Sequence, residues 1–275
     1  MKQAVPVFAA LIAALATATA AWRAESLTFK GALAAAIIGT TALSASWRWG
    51  VLLIAWFVSS SLLSRLGKAH KSRRVAAIVM KGDRRDAWQV WANGGLFFMA
   101  SMALIFVAPR VAAVPELNGL LAVCAAASLA AAAADTWATE IGALYGGSPW
   151  SLRTRARVEA GTSGAMSLAG TSAMLAGGVS IAAMAAVLGM IPANIRSVAA
   201  VACGGIVGAL ADTLVGAWLQ ERRWCKACAM GTEQIIHVCG TESNRAGGIA
   251  RLDNDLVNAL CTVAGAVAAM LFRLA

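Results

Sequence analysis

Charged residues are scarce in this sequence. Asp, Glu, Lys and Arg make up 13% of its 275 residues, whereas hydrophobic residues make up 60% and the mean hydropathy is +0.71. A soluble domain carries roughly 25% charged residues and about 45–50% apolar ones. The shortage of charge therefore excludes an ordinary soluble domain and predicts an all-α, polytopic transmembrane helical bundle that contacts the lipid bilayer.

Several signatures of other protein classes are missing as well. The sequence contains no Walker A lysine loop, no G-x-S-x-G and no H-E-x-x-H, which argues against a P-loop ATPase or a serine hydrolase. No segment is long enough to build a basic soluble face with groove or stacking residues, so we expect no nucleic-acid partner. The six cysteines do not resemble a secreted disulfide framework.

Eight apolar segments have about the length that crosses a membrane, close to 20 residues. The second and third are short, so six or seven spans is the alternative. The segments cover residues 4–21, 31–45, 49–64, 94–109, 117–144, 162–189, 197–218 and 253–272. We divide the chain into N-terminal transmembrane helices (1–64), a basic cytoplasmic interfacial segment (65–92) and a core transmembrane domain (93–275), which includes a cytoplasmic loop (219–252).

Basic residues mark one side of the predicted bundle. With eight spans, parity places the basic loops that follow residues 64, 144 and 218 on the same side, and the weakly charged links 109–116 and 190–196 opposite. The positive-inside rule predicts that the basic side faces the cytoplasm. We expect the protein to lie in the inner (plasma) membrane of a bacterium. Residues 66–90 suit an amphipathic segment at that interface or, alternatively, a poorly ordered loop. A cleaved signal peptide at residues 1–21 is the competing interpretation of the first span, but it would break this parity.

Acidic residues inside spans are costly and therefore functional candidates. Asp135, Glu140 and Asp212 lie within predicted spans, and Asp255 lies at a span entrance. Asp135 and Asp212 occur in similar motifs, A-D-T-W-A and A-D-T-L-V. Thr139 lies four residues after Asp135 and therefore on the same helical face. All of these acids lie at the side assigned to the cytoplasm.

Asparagine and aspartate oxygens lie near two further span ends on that side. Asn93 stands where one span begins, and Asn254, Asp255 and Asn258 recur around one turn at the start of another. Asp and Asn oxygens with water suit Mg²⁺, which commonly bridges carboxylates to substrate phosphates. Helix capping is the alternative role for any one Asp-Asn pair.

A glycine- and arginine-rich stretch follows the Asp135 span. Arg153, Arg155 and Arg157 precede Glu159-Ala160-Gly161-Thr162-Ser163-Gly164, which we predict opens the next helix. A Gly/Ser/Thr helix start offers free N–H groups and a positive dipole end, which suit a phosphate. The alternative is ordinary capping by Thr162 or Ser163.

The last basic loop carries a cysteine and histidine cluster. Cys225, Cys228, His237 and Cys239 form C-x2-C-x8-H-x-C, and four such ligands can close a structural tetrahedral Zn²⁺ site. Reduced thiols and a redox pair are the alternatives. A bound zinc ion would stabilise the loop rather than take part in catalysis.

Four short sequence motifs together resemble those of a known family. Q-V-x-A-N-G at 89–94, A-D-T-W-A-x-E-I-G at 134–142, G-T-x-G-x-x-S at 161–167 and N-D-x-V-N at 254–258 resemble an integral-membrane family of unknown function that includes plant phytyl-phosphate kinases. A more distant similarity to CTP-dependent polyprenol kinases, such as dolichol and phytol kinases, is carried by the motif around Asp135 and by Glu159-x-Gly161-Thr162. Ala160 departs from that second pattern, in which the glutamate and glycine are adjacent.

The resemblance implies a membrane lipid-phosphate kinase that transfers a phosphoryl group from a nucleotide, CTP, to an isoprenoid monophosphate such as phytyl phosphate. The expected catalytic groups are the carboxylates of Asp135, Asp212, Asp255 and Glu140, and the three aspartates are also the expected Mg²⁺ ligands. The expected substrate- and nucleotide-binding residues are Asn93, Thr139, Arg153, Arg155, Arg157, Glu159, Gly161, Thr162, Gly164, Asn254 and Asn258. The alternative function is a transporter or scramblase of a lipid phosphate or small ion, because internal repeats are common among carriers. Small-residue helix faces can pack within or between chains, so both oligomeric and monomeric states fit the sequence.

Overall fold

The computed structural model describes residues 5–79, 84–107 and 117–274, and these ranges contain nine α-helices and six short β-strands. The helices are α1 (Val7–Arg23), α2 (Phe29–Ala45), α3 (Trp47–Arg65), α4 (Lys68–Val75), α5 (Ala87–Phe106), α6 (Leu117–Tyr145), α7 (Leu168–Val187), α8 (Ile195–Trp218) and α9 (Asn254–Leu274). The strands are β1 (Trp150–Ser151), β2 (Ala156–Arg157), β3 (Ala165–Met166), β4 (Arg222–Cys225), β5 (Met230–Thr232) and β6 (Asn244–Gly247).

The predicted helical membrane bundle is confirmed. Six helices, α3 and α5 to α9, are long and apolar enough to cross a bilayer, and the apolar α1 and α2 have 17 residues each, at the lower end of the spanning range. All eight coincide with predicted spans. The weakly charged link predicted at 109–116 lies outside the described residues.

Helix α6 is the axis of the bundle. It contacts α3, α4, α5, α7, α8 and α9, and every alanine from Ala125 to Ala134 is buried. Alanine and glycine let neighbouring backbones approach: a Cβ at Gly208 of α8 would lie 2.5 Å from the Cβ of Ala131, and one at Gly177 of α7 would lie 3.0 Å from the carbonyl oxygen of Ala133. This small-residue packing is how helices associate where the surroundings are as apolar as their side chains.

The basic interfacial segment is partly helical. Its first half forms α4, while α5 begins earlier than the predicted span because Asp86 and Gln89 form a reciprocal capping box. The backbone before α5 is tied to the turn before α2, since Arg85 N–H donates to Ser26 O and Thr28 N–H donates to Arg85 O, both at 3.0 Å.

Two three-stranded antiparallel sheets occupy the loops at the same end of the bundle. The first has the order β2-β1-β3 and lies between α6 and α7, and the second has the order β5-β4-β6 and lies between α8 and α9. The prediction that residues 161–164 open a helix is wrong. Gly161 and Gly164 adopt positive φ angles of 90° and 72° in a turn, and α7 begins at Leu168 with Ser167 as its N-cap.

Candidate functional site

A polar cavity of about 360 Å³ lies at the end of the bundle where α6 and α8 finish and α5, α7 and α9 begin. Its walls combine residues from these five helices with α3, α4, strand β3 and loop residues next to the second sheet. The predicted site residues that line it are Asn93, Asp135, Thr139, Glu140, Gly161, Thr162, Gly164, Asp212, Asn254 and Asn258. Residues more than 160 positions apart in the chain therefore share one chamber.

The carboxyl groups of Asp135 and Asp212 meet in this cavity, within hydrogen-bonding contact of each other. Packing of α6 against α8 explains the meeting. The two helices approach closely at Ala131 and Gly208, and Asp135 and Asp212 each follow one helical turn later on the same face. One oxygen of the pair, Oδ2 of Asp212, is buried and has no hydrogen-bond partner among the described residues.

Two adjacent carboxylates cannot both hold a full negative charge in a buried place unless something positive compensates them. A shared proton or a bound cation are the two solutions. An unpartnered carboxylate oxygen is also a free ligand position, so the donor set fits a divalent cation that prefers oxygen ligands.

Neutral amides line the same cavity as the aspartate pair. Asn93 and Gln89 project from the first turns of α5, and Asn254 and Asn258 from the first turns of α9. Asp253 accepts a hydrogen bond from the N–H of Leu256 at 3.1 Å, so it caps α9 and leaves both asparagines to line the cavity. Amides both donate and accept hydrogen bonds, which suits phosphate, ribose and base groups.

Glu140 lines the cavity in a salt bridge rather than as a free carboxylate. Its side chain pairs with Lys71 of α4, whose side chain is 6% exposed, and accepts a hydrogen bond from Ser64 Oγ at 2.6 Å. Lys71 also donates to the carbonyl oxygens of Leu63 and Ser64. The ion pair therefore fixes α4 between α3 and α6 and places cationic side chains on the cavity wall.

The turn at residues 161–164 forms the cavity rim beside α8. Thr162 Oγ1 donates to the carbonyl oxygen of Glu159 at 2.8 Å, and a Cβ at Gly164 would lie 2.4 Å from the Cα of Ala217. Glycine is therefore required for the turn to reach α8. Ser163, next to it, donates to Glu233 Oε1 at 2.5 Å.

Glu233 enters the cavity from the loop between α8 and α9. It accepts hydrogen bonds from Ser163 and, at 2.8 Å, from Gln220 Nε2. It thereby joins the β5 loop, the end of α8 and the 161–164 turn around one carboxylate. This makes Glu233 a fourth acid of the cavity beside Asp135, Glu140 and Asp212.

Other predicted site residues lie outside the cavity lining. Arg153, Arg155, Arg157 and Glu159 are exposed on the small sheet before α7. Asp255 is 9% exposed in the first turn of α9 and does not line the cavity.

Cys225, Cys228, His237 and Cys239 come together as the sequence pattern predicts. One ligand atom from each lies within 4.8 Å of the others. The sulfur atoms of Cys225 and Cys239 are 3.6 Å apart, and Cys239 Sγ is 3.2 Å from His237 Nδ1. Two thiolates on a tetrahedral zinc with Zn–S bonds near 2.3 Å are about 3.8 Å apart, so the cluster fits that ion.

Electrostatics around the cluster favour a thiolate. Hydrogen bonds from Thr241 and His237 lower the pKa of Cys239 to about 5. A thiol with that pKa is ionised at neutral pH, and the thiolate is the form that binds metal.

The cluster belongs to the loop that carries Glu233. Thr232 Oγ1 donates to the carbonyl oxygen of Ala77 at 2.9 Å, and Glu233 N–H donates to that of Ile78 at 2.8 Å. Gln234 Nε2 reaches the carbonyl oxygens of Ala76 and Val79. The sheet of β4, β5 and β6 is therefore docked on the segment after α4, and the docking sets the position of Glu233.

Sequence reasoning missed several cavity residues. Glu233, Gln220, Lys71 and Arg85 all line the cavity but belong to none of the motifs recognised in the sequence, and Gln89 belongs to one without being predicted as a site residue. For Glu233 one signal was available: acids are scarce, with 13 in the whole chain, so each one near the predicted cytoplasmic helix ends is a candidate.

Comparison with known proteins places the chain among integral membrane proteins. The family described as integral membrane protein DUF92 matches residues 12–266. Protein PGR of Arabidopsis thaliana is 27% identical over 269 residues, which cover 92% of this chain and 90% of that protein. An uncharacterized membrane protein of Methanocaldococcus jannaschii is 29% identical over 201 residues, covering 73% and 77% of the two chains. No solved structure matches.

Proposed function

This chain belongs to the DUF92 family of integral membrane proteins, and from that premise we propose that it is a phosphotransferase acting on a lipid phosphate. It transfers the terminal phosphoryl group of a nucleotide, CTP, to an isoprenoid monophosphate. The observation that carries the proposal is the Asp135–Asp212 pair inside a polar chamber between membrane spans. CTP and the isoprenoid acceptor come from the sequence resemblance to polyprenol kinases.

Asp135 and Asp212 would hold Mg²⁺. Their carboxyl groups are in contact, and Oδ2 of Asp212 offers an unused acceptor. Bound Mg²⁺ neutralises nucleotide phosphates and the charge that develops during transfer. Asn93, Asn254 and Asn258 line the same cavity and would orient the substrates through hydrogen bonds.

The reaction needs positioning more than acid–base chemistry. A terminal oxygen of the acceptor monophosphate attacks the γ-phosphorus of CTP, the bond from that phosphorus to the β,γ-bridging oxygen breaks, and CDP leaves with the electron pair. The products are an isoprenoid diphosphate and CDP. The attacking oxygen is already anionic, so no strong general base is required, which agrees with a cavity lined by amides and carboxylates and without a histidine among its described residues.

Location between spans suits two substrates of different solubility. The cavity lies at the bundle end where the basic loops gather. We propose that this end faces the cytoplasm of a bacterial inner membrane, as the positive-inside rule indicates. The nucleotide would enter from water and the isoprenoid chain from the bilayer.

The proposal is tested by transfer assays with purified protein in detergent. With Mg²⁺, CTP and phytyl or geranylgeranyl monophosphate, the wild type should form the corresponding diphosphate. Asp135→Asn and Asp212→Asn should each lower the rate at least about 100-fold, as expected for loss of a group that stabilises transferred charge. Glu25→Gln removes an exposed carboxylate of the α1–α2 turn and should leave the rate unchanged.

Two results would contradict the proposal. Equal rates for wild type and both aspartate variants would remove the aspartate pair from the chemistry. Absence of any product, together with nucleotide-independent flux of lipid phosphate into vesicles, would assign the chain to the transporter class instead.

We also propose that Cys225, Cys228, His237 and Cys239 bind one structural Zn²⁺. Their spacing in the fold matches a tetrahedral site, and the ion would hold together the loop that inserts Glu233 into the cavity. Zinc content measured by mass spectrometry should be one atom per chain. Cys225→Ser should lose the metal and increase amide hydrogen exchange in residues 222–247 and 76–79.

Cys203→Ser is the matched control for the zinc proposal, because Cys203 is an exposed thiol of α8 that does not belong to the cluster. This variant should keep both the metal and the exchange protection. Wild-type protein free of zinc after expression and purification in zinc-supplemented medium would contradict the proposal, as would a Cys225→Ser variant that retains the ion.

A further inference from the structure

A second, apolar cavity adjoins the polar one. It has a volume of about 70 Å³ and lies between α1, α2, α3 and α5. Its walls are alanines, leucines and aromatic side chains, including Ala18, Ala35, Leu43 and Phe57. From Ala35 to Leu43 its lining follows α2 for about 12 Å at 1.5 Å per residue. The cavity is therefore a narrow apolar groove that runs along the spans.

The two cavities share Arg85 and Gln89. Arg85 is therefore a cation at the boundary between an apolar groove and a chamber of acids and amides. Its guanidinium lies 5.7 Å from the ring centroid of Phe57, which is also a residue of the groove. Its backbone is fixed by hydrogen bonds to Ser26 and Thr28.

The guanidinium of Arg85 is not fully satisfied. Its Nη1 is buried and donates to no acceptor among the described residues. Glu140 is the acid that acts on it electrostatically, but that carboxylate is already paired with Lys71 and bonded to Ser64. A buried polar group without a partner is costly, and more so when it is charged, so an arginine held in this way indicates an anionic ligand.

Close packing keeps Arg85 in position. A Cβ on Gly31 would lie 2.4 Å from the carbonyl oxygen of Arg85, so the start of α2 admits the Arg84–Arg85 backbone only because residue 31 is glycine. Arg84 is different: it is exposed and donates to the carbonyl oxygen of Leu27 at 3.2 Å from Nη2. Neighbouring arginines thus have separate roles, one at the surface and one between the cavities.

We propose that Arg85 binds the phosphate of the lipid acceptor, and that the isoprenoid chain of that lipid runs along the apolar groove, which holds part of the chain while the rest lies in the bilayer. This inference rests on the proposed function, because it names how the acceptor is held. Charge complementarity supports this proposal, because the guanidinium of an arginine pairs with phosphate through two parallel hydrogen bonds. The apolar side chains of the adjoining groove would contact the hydrocarbon chain. The phosphate would then lie at the edge of the chamber that contains Asp135 and Asp212.

The test is equilibrium binding of geranylgeranyl monophosphate to detergent-purified protein, without nucleotide or Mg²⁺. Arg85→Gln should weaken binding about tenfold or more, the loss expected for hydrogen bonds to a charged group, and Arg85→Lys should weaken it less. Arg84→Gln is the matched control and should bind as the wild type does. Geranylgeraniol, which lacks the phosphate, should bind wild type and Arg85→Gln alike.

The groove is tested separately by chain length. Ala35→Leu narrows it and should weaken binding of geranylgeranyl monophosphate while leaving the short isopentenyl monophosphate unaffected. Ala16→Leu, at an exposed position of α1, should change neither. Excess inorganic phosphate should compete with isopentenyl monophosphate but displace the long-chain lipid poorly, which distinguishes a lipid headgroup site from a free phosphate site.

Binding and transfer can fail independently. Unchanged binding in both Arg85→Gln and Arg85→Lys would overturn the role of Arg85, even if the transfer assay succeeds. Equal loss of long- and short-chain binding in Ala35→Leu would overturn the groove. Binding that follows the expected pattern in a protein without transfer activity would uphold this inference and overturn the phosphotransferase reaction.

Discussion

Replacing Asp212 by asparagine should stabilise the metal-free protein. The carboxyl groups of Asp135 and Asp212 are in contact, and two full negative charges about 4 Å apart repel by about 4 kcal/mol at an effective dielectric constant near 20. A proton shared between the carboxyls of the metal-free wild type would relieve part of that repulsion. The gain on substitution should therefore lie between zero and about 4 kcal/mol, and the new amide can still bond to Asp135.

The same substitution should remove the effect of Mg²⁺ on stability. A ligand that binds only the folded protein adds about 2.7 kcal/mol at a concentration 100 times its Kd, and such an increment raises the Tm of a chain of about this size by roughly 5–10 °C. Wild type should show that shift on Mg²⁺ titration, and Asp212→Asn should show almost none.

Thermal unfolding in detergent, followed by intrinsic tryptophan fluorescence with EDTA or with increasing Mg²⁺, measures both effects. Glu25→Gln provides the control for loss of a carboxylate away from the cavity. A variant that melts below the wild type in EDTA, or that keeps the full Mg²⁺ shift, would refute the view that the two aspartates form a cation site.

Other substitutions test the architecture around the cavity. Lys71→Met should destabilise the protein by about 3–5 kcal/mol, because it leaves Glu140 unpaired, and the double variant with Glu140→Gln should recover much of the loss; additive losses in thermal unfolding would contradict the pairing. Gly164→Val should lower the transfer rate and loosen residues 161–167, since a Cβ there would overlap Ala217; unchanged hydrogen exchange in that turn would show that the contact with α8 is dispensable. Glu233→Gln should retain the zinc cluster but weaken the link to Ser163, seen as faster exchange of the 161–164 turn, whereas equal exchange would argue that Glu233 does not anchor it.

The spans were predictable because a chain that crosses lipid must form long apolar helices, and each such helix is a continuous apolar run in the sequence. Their ends were less so. The start of α5 moved seven residues from the predicted position of 94 to Ala87 because a capping box at Asp86 and Gln89 extends the helix into the polar interface. Two loop sheets, with strands of two to four residues, carry too little pattern to be recognised.

Some residues of the candidate site could likewise be predicted from the sequence, and others could not. Asp135 and Asp212 could be identified because an acid within an apolar span is exceptional, and their meeting follows from one helix–helix contact. The turn at 161–164 was taken for a helix start, since glycine, threonine and serine are common there, but positive φ angles at Gly161 and Gly164 exclude a helix. Glu233 and Arg85 reach the cavity through the docking of loops on one another, which no local spacing encodes.

In the proposed reaction, the cavity that contains Asp135 and Asp212 transfers the terminal phosphoryl group of a nucleotide to a lipid phosphate. It is tested most directly by incubating purified protein and Mg²⁺ with geranylgeranyl monophosphate and CTP labelled either at the γ- or at the α-phosphorus. We expect label from the γ-position to appear in the lipid diphosphate and label from the α-position to stay in CDP, and we expect Asp135→Asn to produce neither. Label from the α-position in the lipid would show nucleotidyl transfer, and an unlabelled lipid with folded wild-type protein would contradict the kinase.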